Sequence, residues 1–354
     1  MEYRIGLVGC GTVGQGFLEI LLKKKEYLRE KLDFEARVVA ISDMLKGSLV
    51  IPEGIAVERL LRLLEQGKKI SDYLEGKPND AERMDALEVI EKCDADIIAE
   101  LTYTDIKTAE PATSHVKKAL RTGKHVVTSN KGPAALYYED LKKLAQENNL
   151  FFRIEGTVMS GTPVFNLFES GFAGNTVKEI KGILNGTTNF ILTKMEEENM
   201  AYENALKLAQ DLGYAEADPT ADVEGYDALA KIVILSNVLL GGNLSPSDAE
   251  REGITALSKE KILEAKQEGY RYKLIASTRK ENGRIEASVS PQKLPLSDPL
   301  AGVMGANNAL TFDLDLLGKV TIQGPGAGKT ETGYSILIDM LAIHRQLSKQ
   351  LIRR

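Results

Sequence analysis

The stretch Gly9-Cys10-Gly11-Thr12-Val13-Gly14 constrains this chain more than any other. It lies between the β-branched run that starts at Tyr3 and a segment whose Val13, Phe17, Leu21, Leu28 and Leu32 recur at helical spacings. A strand that enters a glycine turn and leaves it as a helix has one common use. The first glycine permits the tight turn, the second lets a pyrophosphate approach the backbone, and the third lets helix and strand pack closely. The unpaired N–H groups and positive dipole of the helix start then face the phosphates. Cys10 is a loop residue on this reading, not a nucleophile, and the lysine run 23–25 is a solvated face. The second strand ends in Ser42-Asp43, and a carboxylate there accepts hydrogen bonds from adenosine ribose hydroxyls, which favours NAD. Lys46 and Ser48 follow closely and suit a 2′-phosphate, so the choice between NAD and NADP stays open.

The chain has 354 residues, enough for two domains at about 100 to 200 residues each. Strand-like runs at Tyr3, Ala36, Ala95, Lys124 and Leu150 alternate with helical patterns near 109–121 and 139–148, which indicates a parallel sheet. Residues 53–92 form an elaborated connection, a helix-like piece and then a polar turn around Lys77 to Asp80. After residue 150 the pattern becomes α+β. VKEIKGILNGTTNFILTKM predicts a strand, a polar turn and a capped helix, and Asn282-Gly283 predicts a hairpin. A last helix carries Tyr334, Leu337, Ile338, Leu341 and Leu347 on one stripe and packs back on the first domain. The expected fold class is therefore α/β. A Rossmann-like dinucleotide-binding domain takes residues 1–150 and 320–354, and an α+β substrate-binding and dimerisation domain takes 151–319.

A net charge of −6 has the wrong sign for phosphate-backbone contacts, so nucleic acid is excluded as a partner. Two cysteines and three scattered histidines make neither a disulfide framework nor a thiolate metal site, which suits a reducing cytoplasm. The apolar run 232–240 is too short to span a bilayer and the N-terminus has no targeting pattern, so a cytoplasmic protein without membrane contact is expected.

Gly324-Pro325-Gly326-Ala327-Gly328-Lys329-Thr330 resembles a P-loop, but position 323 is Gln and Gly324 stands one residue too close to the Gly-Lys-Thr. A loop-to-helix turn near the cofactor fits better. Asp227 and Lys231 are four apart and share a helix face, which taken alone is an exposed-helix ion pair; at the polar start of a helix that is apolar nearly all round, the pair is also placed to border a buried pocket. A metal among the carboxylates around them would have no histidine nearby. Asn130-Lys131 ends a strand before Gly132-Pro133 and places a lysine at the carboxyl edge of the sheet, where doubly wound folds bind ligands, or where it is only a surface lysine. Residues 155–163 leave a strand for a glycine-containing bend whose carbonyls suit a monovalent cation or only turn the chain.

The glycine turn, ELTYTD at Glu100, TSNKGPAA at Thr128, GILNGTTNFIL at Gly182, LGYAEADPTADVEGYDALAKIVIL at Leu212 and GPGAG at Gly324 together resemble homoserine dehydrogenase. The likeness covers most of the chain and matches the short form without a C-terminal ACT regulatory domain. It implies NAD(P)-dependent interconversion of L-homoserine and L-aspartate 4-semialdehyde, in the pathway to threonine and methionine, by a homodimer built through the second domain. It also implies site residues. Glu216 would bind the substrate ammonium, Asp227 would orient the substrate, and Lys231 with Lys131 would serve proton transfer. Gly9, Gly11, Thr12, Val13, Gly14, Asp43, Lys131 and Gly328 would hold the dinucleotide, and backbone oxygens of Glu155, Val158, Ser160 and Thr162 would hold sodium.

A free lysine, with a pKa of about 10.4, is a poor base near neutrality and suits an acid better. Oxidation of the alcohol is accordingly expected to run best at alkaline pH, and which lysine gives the proton stays open. Two competing readings are a phosphorylating aldehyde dehydrogenase, which needs Cys10 or Cys93 as a thioester-forming nucleophile, and a non-enzymatic nucleotide sensor.

Overall fold

The computed structural model describes residues 1–75 and 80–352, with the side chains of residues 82, 351 and 352 outside the description. Positions 77–79 of the expected polar turn lie outside the described residues. The chain divides into two units, Met1–Leu167 with Gly328–Arg354, and Phe168–Ala327.

Six strands build the first unit: β1 (Glu2–Val8), β2 (Glu35–Asp43), β3 (Gly47–Val50), β4 (Ile97–Glu100), β5 (His125–Thr128) and β6 (Phe152–Arg153). They stand in the order β3-β2-β1-β4-β5-β6. All neighbours run parallel except β3, which folds back antiparallel on β2. After β1 the chain moves to β2 on one side, and it later returns to β4 on the other, so the carboxyl ends of β1 and β4 flank a topological switch point. Ile5, Leu7, Ile41, Ile97 and Phe17 are buried in the core beneath it. The short edge strand β3 was not expected, nor was the helix Ala86–Lys92, whose capping box pairs Asp85 with Glu88.

The last helix, Lys329–Ile352, belongs to the first unit, but its buried seam is Ile336, Leu337, Met340 and Ile343. Tyr334, expected on the stripe, is exposed. The reason is close helix contact: a side chain at Gly16 would collide with the Lys329 carbonyl, and one at Gly333 with the Gly16 backbone. Those glycines draw the final helix against Thr12–Leu32, so that Leu337, Leu341 and Leu347 of the expected stripe pack on the core while Tyr334 is left outside.

The second unit holds β7 (Val177–Ile183), β8 (Glu250–Arg251), β9 (Tyr270–Glu281), β10 (Arg284–Pro295), β11 (Asn307–Leu314) and β12 (Gly318–Pro325). Their order is β12-β11-β7-β9-β10-β8, antiparallel apart from β8 beside β10. Asn282 and Gly283 both have positive φ, as a two-residue hairpin turn between β9 and β10 requires. The apolar helix Tyr226–Leu240 packs on β9 and β10, which buries it on nearly every side.

The unit boundaries differ from the expected 150 and 320. Residues 151–167 stay with the first unit because Glu155 N and Asn166 Nδ2 both donate to Asp339 of the last helix (2.8 Å each). Residues 320–327 stay with the second because β12 pairs with β11 along its length.

Candidate active site

At the switch point the three glycines of the first turn meet different surroundings. Gly9 has φ +97°, and a Cβ there would lie 2.5 Å from the Leu101 carbonyl. At Gly14 it would lie 2.8 Å from Gly9 O, whereas at Gly11 it would meet nothing within 4 Å. Two of the glycines are thus demanded by packing, and the middle one leaves open space before the start of the helix Thr12–Leu32, where Thr12 and Val13 stand in the first turn. A cleft of about 570 Å³ opens there, lined among others by Gly9, Gly11, Asp43, Thr102, Tyr103 and His115.

Asp43 is more committed than its position in the sequence implies. Its Oδ2 accepts from Cys10 N (2.8 Å), and its Oδ1 accepts from Leu45 N and Lys46 N (3.0 Å each). A carboxylate offers about four acceptor sites, so roughly one remains for a ligand. Lys46 Nζ donates to the Cys10 carbonyl (2.9 Å). Ser48 is buried, with its hydroxyl against Ser42 Oγ (3.0 Å) and donating to Met84 O (3.3 Å). The Cys10 thiol is wholly buried, and burial pushes its pKa up to about 12, while burial also raises that of Cys93. Neither thiol is placed to ionise and attack, which removes the basis for the thioester reading.

Lys131 opens the helix Lys131–Leu136 just after β5, with Asn130 as its N-cap accepting from Gly132 N (3.0 Å). Gly328 has φ +147°, and a Cβ there would overlap the Glu331 carboxylate, which folds back over the glycine. In the bend after β6, Met159 and Ser160 have positive φ. Val158 and Ser160 are buried there, and Thr162 N donates to Met159 O (3.0 Å). The Glu155 carboxylate is occupied: it accepts from Val164 N, Phe165 N, Asn166 N and Asn166 Nδ2 at 2.5–3.0 Å. Among the described residues, no group of three or more His, Cys, Asp or Glu side chains could hold a metal ion.

The second unit gathers charge. Lys231, buried in the helix Tyr226–Leu240, donates from Nζ to Asp227 Oδ2 (2.6 Å) and to Leu184 O at the end of β7 (2.7 Å). An ammonium has three N–H bonds, and the third has no partner among the described residues. Asn185 caps the helix Gly186–Glu197 by accepting from Thr188 N (2.9 Å). Its Nδ2 donates to both Asp222 Oδ1 (2.6 Å) and Asp227 Oδ2 (3.0 Å). Burial first, and then the neighbouring Asp227 charge, push the Asp222 carboxyl above its usual range, and the bond from Asn185 opposes them. The i,i+4 pair read from the sequence is therefore the visible part of a four-residue cluster. Asn185 and Asp222 had no assigned role, although an Asn just before a helix start is a capping signal. Glu216 is not drawn into the cluster. It is exposed on the preceding loop, held by its carbonyl, which accepts from Gln210 Nε2 (3.2 Å).

A parallel sheet with a glycine turn and an open cleft at its switch point, joined in one chain to a buried lysine–carboxylate cluster, defines a dinucleotide-dependent oxidoreductase. The family models that match are the homoserine dehydrogenase NAD binding domain over residues 9–155 and homoserine dehydrogenase over residues 163–341. The chain is 44% identical to an NAD(+)-dependent homoserine dehydrogenase of Pseudomonas canavaninivorans, over 99% of this chain and 98% of that one. It is 39% identical to a homoserine dehydrogenase of Methanocaldococcus jannaschii, over 97% and 99%. Among solved structures, a homoserine dehydrogenase from Thiobacillus denitrificans superposes with a TM-score of 0.83 at 32% identity, over 99% of this chain and 74% of that one. A hyperthermophilic archaeal homoserine dehydrogenase in complex with NADPH gives 0.81 at 31%, over 96% and 97%. The chain belongs to the homoserine dehydrogenase family. Its activity is the NAD(P)-dependent interconversion of L-homoserine and L-aspartate 4-semialdehyde, a step of amino-acid biosynthesis. The sensor reading gives way to this assignment. Among the described residues, no helix is long and apolar enough to cross a membrane.

Proposed function

We propose that this enzyme works with NAD in preference to NADP and that Lys231 supplies the proton at the reacting oxygen. The observation that carries the second point is the third N–H of Lys231, left over after Asp227 and Leu184 O have taken two. When the dinucleotide is bound, its nicotinamide supplies or takes up the hydride. In the reductive direction the aldehyde oxygen then gains negative charge. The Lys231 ammonium donates a hydrogen bond to that oxygen and passes it a proton as the alkoxide forms, leaving a neutral amine and an alcohol. Asp227 keeps the ammonium oriented, and Asn185 keeps Asp227 oriented. In the oxidative direction the amine must be neutral before it takes the hydroxyl proton, so oxidation speeds up toward alkaline pH.

Lys131, at the carboxyl edge of the first sheet, is the second cation assigned to proton transfer and also borders the dinucleotide. The exposed Glu216 meets the substrate ammonium, and its loss raises the KM for homoserine more than it lowers kcat. NAD preference is supported by the Asp43 carboxylate at the end of β2 and by the hydrogen bonds that Lys46 Nζ gives to Cys10 O and Ser48 Oγ gives to Met84 O, which engage the two groups a 2′-phosphate would need. The Pseudomonas relative is named as NAD(+)-dependent, which points the same way.

The bend holding Glu155, Val158, Ser160 and Thr162 suits sodium through neutral backbone oxygens, with the Glu155 carboxylate already spent on four N–H donors. Its role is to fix the bend. A second copy of the chain covers the sheet face of the second unit that carries Lys181, Ser277, Ser288, Thr311 and Thr321. That face is a half-exposed row of small polar side chains paired as Ser277 with Ser288 (3.1 Å) and Thr311 with Thr321 (2.8 Å).

The test is nicotinamide reduction by the purified protein with L-homoserine at alkaline pH, using NAD and NADP in parallel and L-serine and L-threonine as controls. Homoserine-dependent reduction with a higher kcat/KM for NAD is the expected result, and a higher kcat/KM for NADP overturns the cofactor preference. Light scattering at the same time reads a species of twice the chain mass if the dimer is right, and one chain mass if it is wrong.

A further inference from the structure

The dinucleotide end of the first unit contains a buried carboxylate that the reaction described above does not use. Glu100 closes β4 and is wholly buried. Its Oε1 accepts from Thr102 N (3.3 Å) and from the Thr102 hydroxyl, and lies 3.3 Å from His115 Nδ1. Its Oε2 and its carbonyl share the Thr128 hydroxyl proton (3.3 and 2.7 Å). Thr128 Oγ1 in turn accepts from Asn130 N (2.9 Å). Asn130 Nδ2 donates to Thr102 O (3.2 Å) and Tyr103 O (2.8 Å), and its Oδ1 caps the helix that begins at Lys131.

A buried carboxylate is costly unless donors surround it, and a strand end has no intrinsic need of one. Apart from His115, every link from Glu100 leads to one of two places. One is the exit loop of β4, whose Thr102 and Tyr103 line the cleft with His115. The other is the turn after β5, which sets where Lys131 starts its helix. An apolar residue at position 100 would leave the two exits tied by the strand pairing, by the Thr128 hydroxyl on the carbonyl of residue 100 and by Asn130, with Thr102 and His115 released.

We propose that Glu100 is a positioning residue for the reaction. Through Thr102, Thr128 and Asn130 it fixes the exits of β4 and β5 against each other, so that Lys131 and the cleft wall keep one geometry. His115, on the helix Ala112–Arg121, meets the same carboxylate oxygen as Thr102. The inference rests on the proposed proton-transfer role of Lys131 and adds the residue that places it. Glu100→Gln keeps the shape but removes the charge: its oxygen can still serve Thr102 and His115 and its amide can donate to Thr128 Oγ1, so the bonds that hold the two exits lose their charge-assisted strength.

The experiment compares wild type with Glu100→Gln, Thr128→Val, Lys131→Ala and the Glu100→Gln/Lys131→Ala double variant, by steady-state kinetics in both substrates, dinucleotide binding and thermal melting. An ångström of misplacement costs on the order of 100-fold in rate, so Glu100→Gln is expected to lower kcat by roughly 10- to 100-fold while the homoserine KM stays within about twofold. Thr128→Val lowers kcat in the same sense, and it serves as the probe if Glu100→Gln does not fold. In the Lys131→Ala background the loss from Glu100→Gln shrinks to about twofold or less, because the lysine it places is gone. Losses that multiply overturn the proposal, since they mark a general structural defect. So does a kcat within twofold of wild type for both Glu100→Gln and Thr128→Val, which leaves the role of Lys131 intact. Full turnover in Lys131→Ala overturns the role of the lysine itself, and the coupling with it.

Discussion

The two functional regions solve opposite problems. At the switch point of the first unit the working parts are backbone: a glycine turn, a helix start and an open space in front of Gly11, with Asp43 spending three acceptor sites on N–H groups of the turns around it. In the second unit the working parts are charged side chains, Lys231, Asp227 and Asp222, arranged by one asparagine. A backbone site is sensitive to added volume and indifferent to most side-chain chemistry. A charged cluster is sensitive to the loss of a single proton or acceptor.

The largest effect should come from the charged side. Lys231→Ala removes the proton donor and is expected to lower kcat by about 10²- to 10⁴-fold with dinucleotide affinity unchanged, measured by steady-state turnover and fluorescence titration. Equal losses in turnover and in dinucleotide binding would erase the distinction between the regions. Gly9→Ala should do the reverse. Its positive φ and the Leu101 carbonyl 2.5 Å from any Cβ leave no room, so the turn must shift, and dinucleotide affinity should fall at least about 10-fold while Lys231 stays in place. Next in size, Asp43→Ser takes away the carboxylate expected to meet the ribose and should cut the NAD-to-NADP ratio of kcat/KM by about 10-fold. An unchanged ratio would assign Asp43 to the turn alone.

The smallest effect concerns stability. Lys273 is buried in the second unit, donating to Asn189 Oδ1 (2.9 Å) and Val303 O (2.5 Å), and burial lowers its pKa from 10.5 to about 8. Between those two values the unfolded chain binds more protons at this residue than the folded one, so the contribution of Lys273 to stability rises with pH from about 8 to 10.5 and is flat below that window. Melting curves at pH 6.5, 8 and 10 should therefore show wild type gaining a few degrees on Lys273→Met only in the alkaline range. A constant difference across all three would show that the lysine is not desolvated as described.

The same contrast decides what was legible in the sequence. The glycine turn could be read residue by residue, because its demands fall on neighbours along the chain. Asp227 and Lys231 were legible as a helical pair, but Asn185 and Leu184 O reach them from more than 40 residues away and no spacing announces that contact. Glu100 entered only as the first residue of ELTYTD, with no role of its own, and its four donors come from three separate segments. The final helix was placed correctly and Leu337, Leu341 and Leu347 of its stripe do pack on the core, but Tyr334 is exposed and the glycine contacts of Gly16 and Gly333 left no side-chain signal to read. The strand β3 was missed because four residues carry too little alternation to show.

The central claim is that the Lys231 amine moves the proton, and chemical rescue tests it most directly. Lys231→Ala, assayed for homoserine oxidation with and without added small primary amines, should regain turnover with methylamine or ethylamine, and the rescued rate should follow amine basicity. Lys131→Ala under the same conditions should respond less. Rescue confined to Lys131→Ala, or wild-type turnover in Lys231→Ala without any amine, would contradict the account.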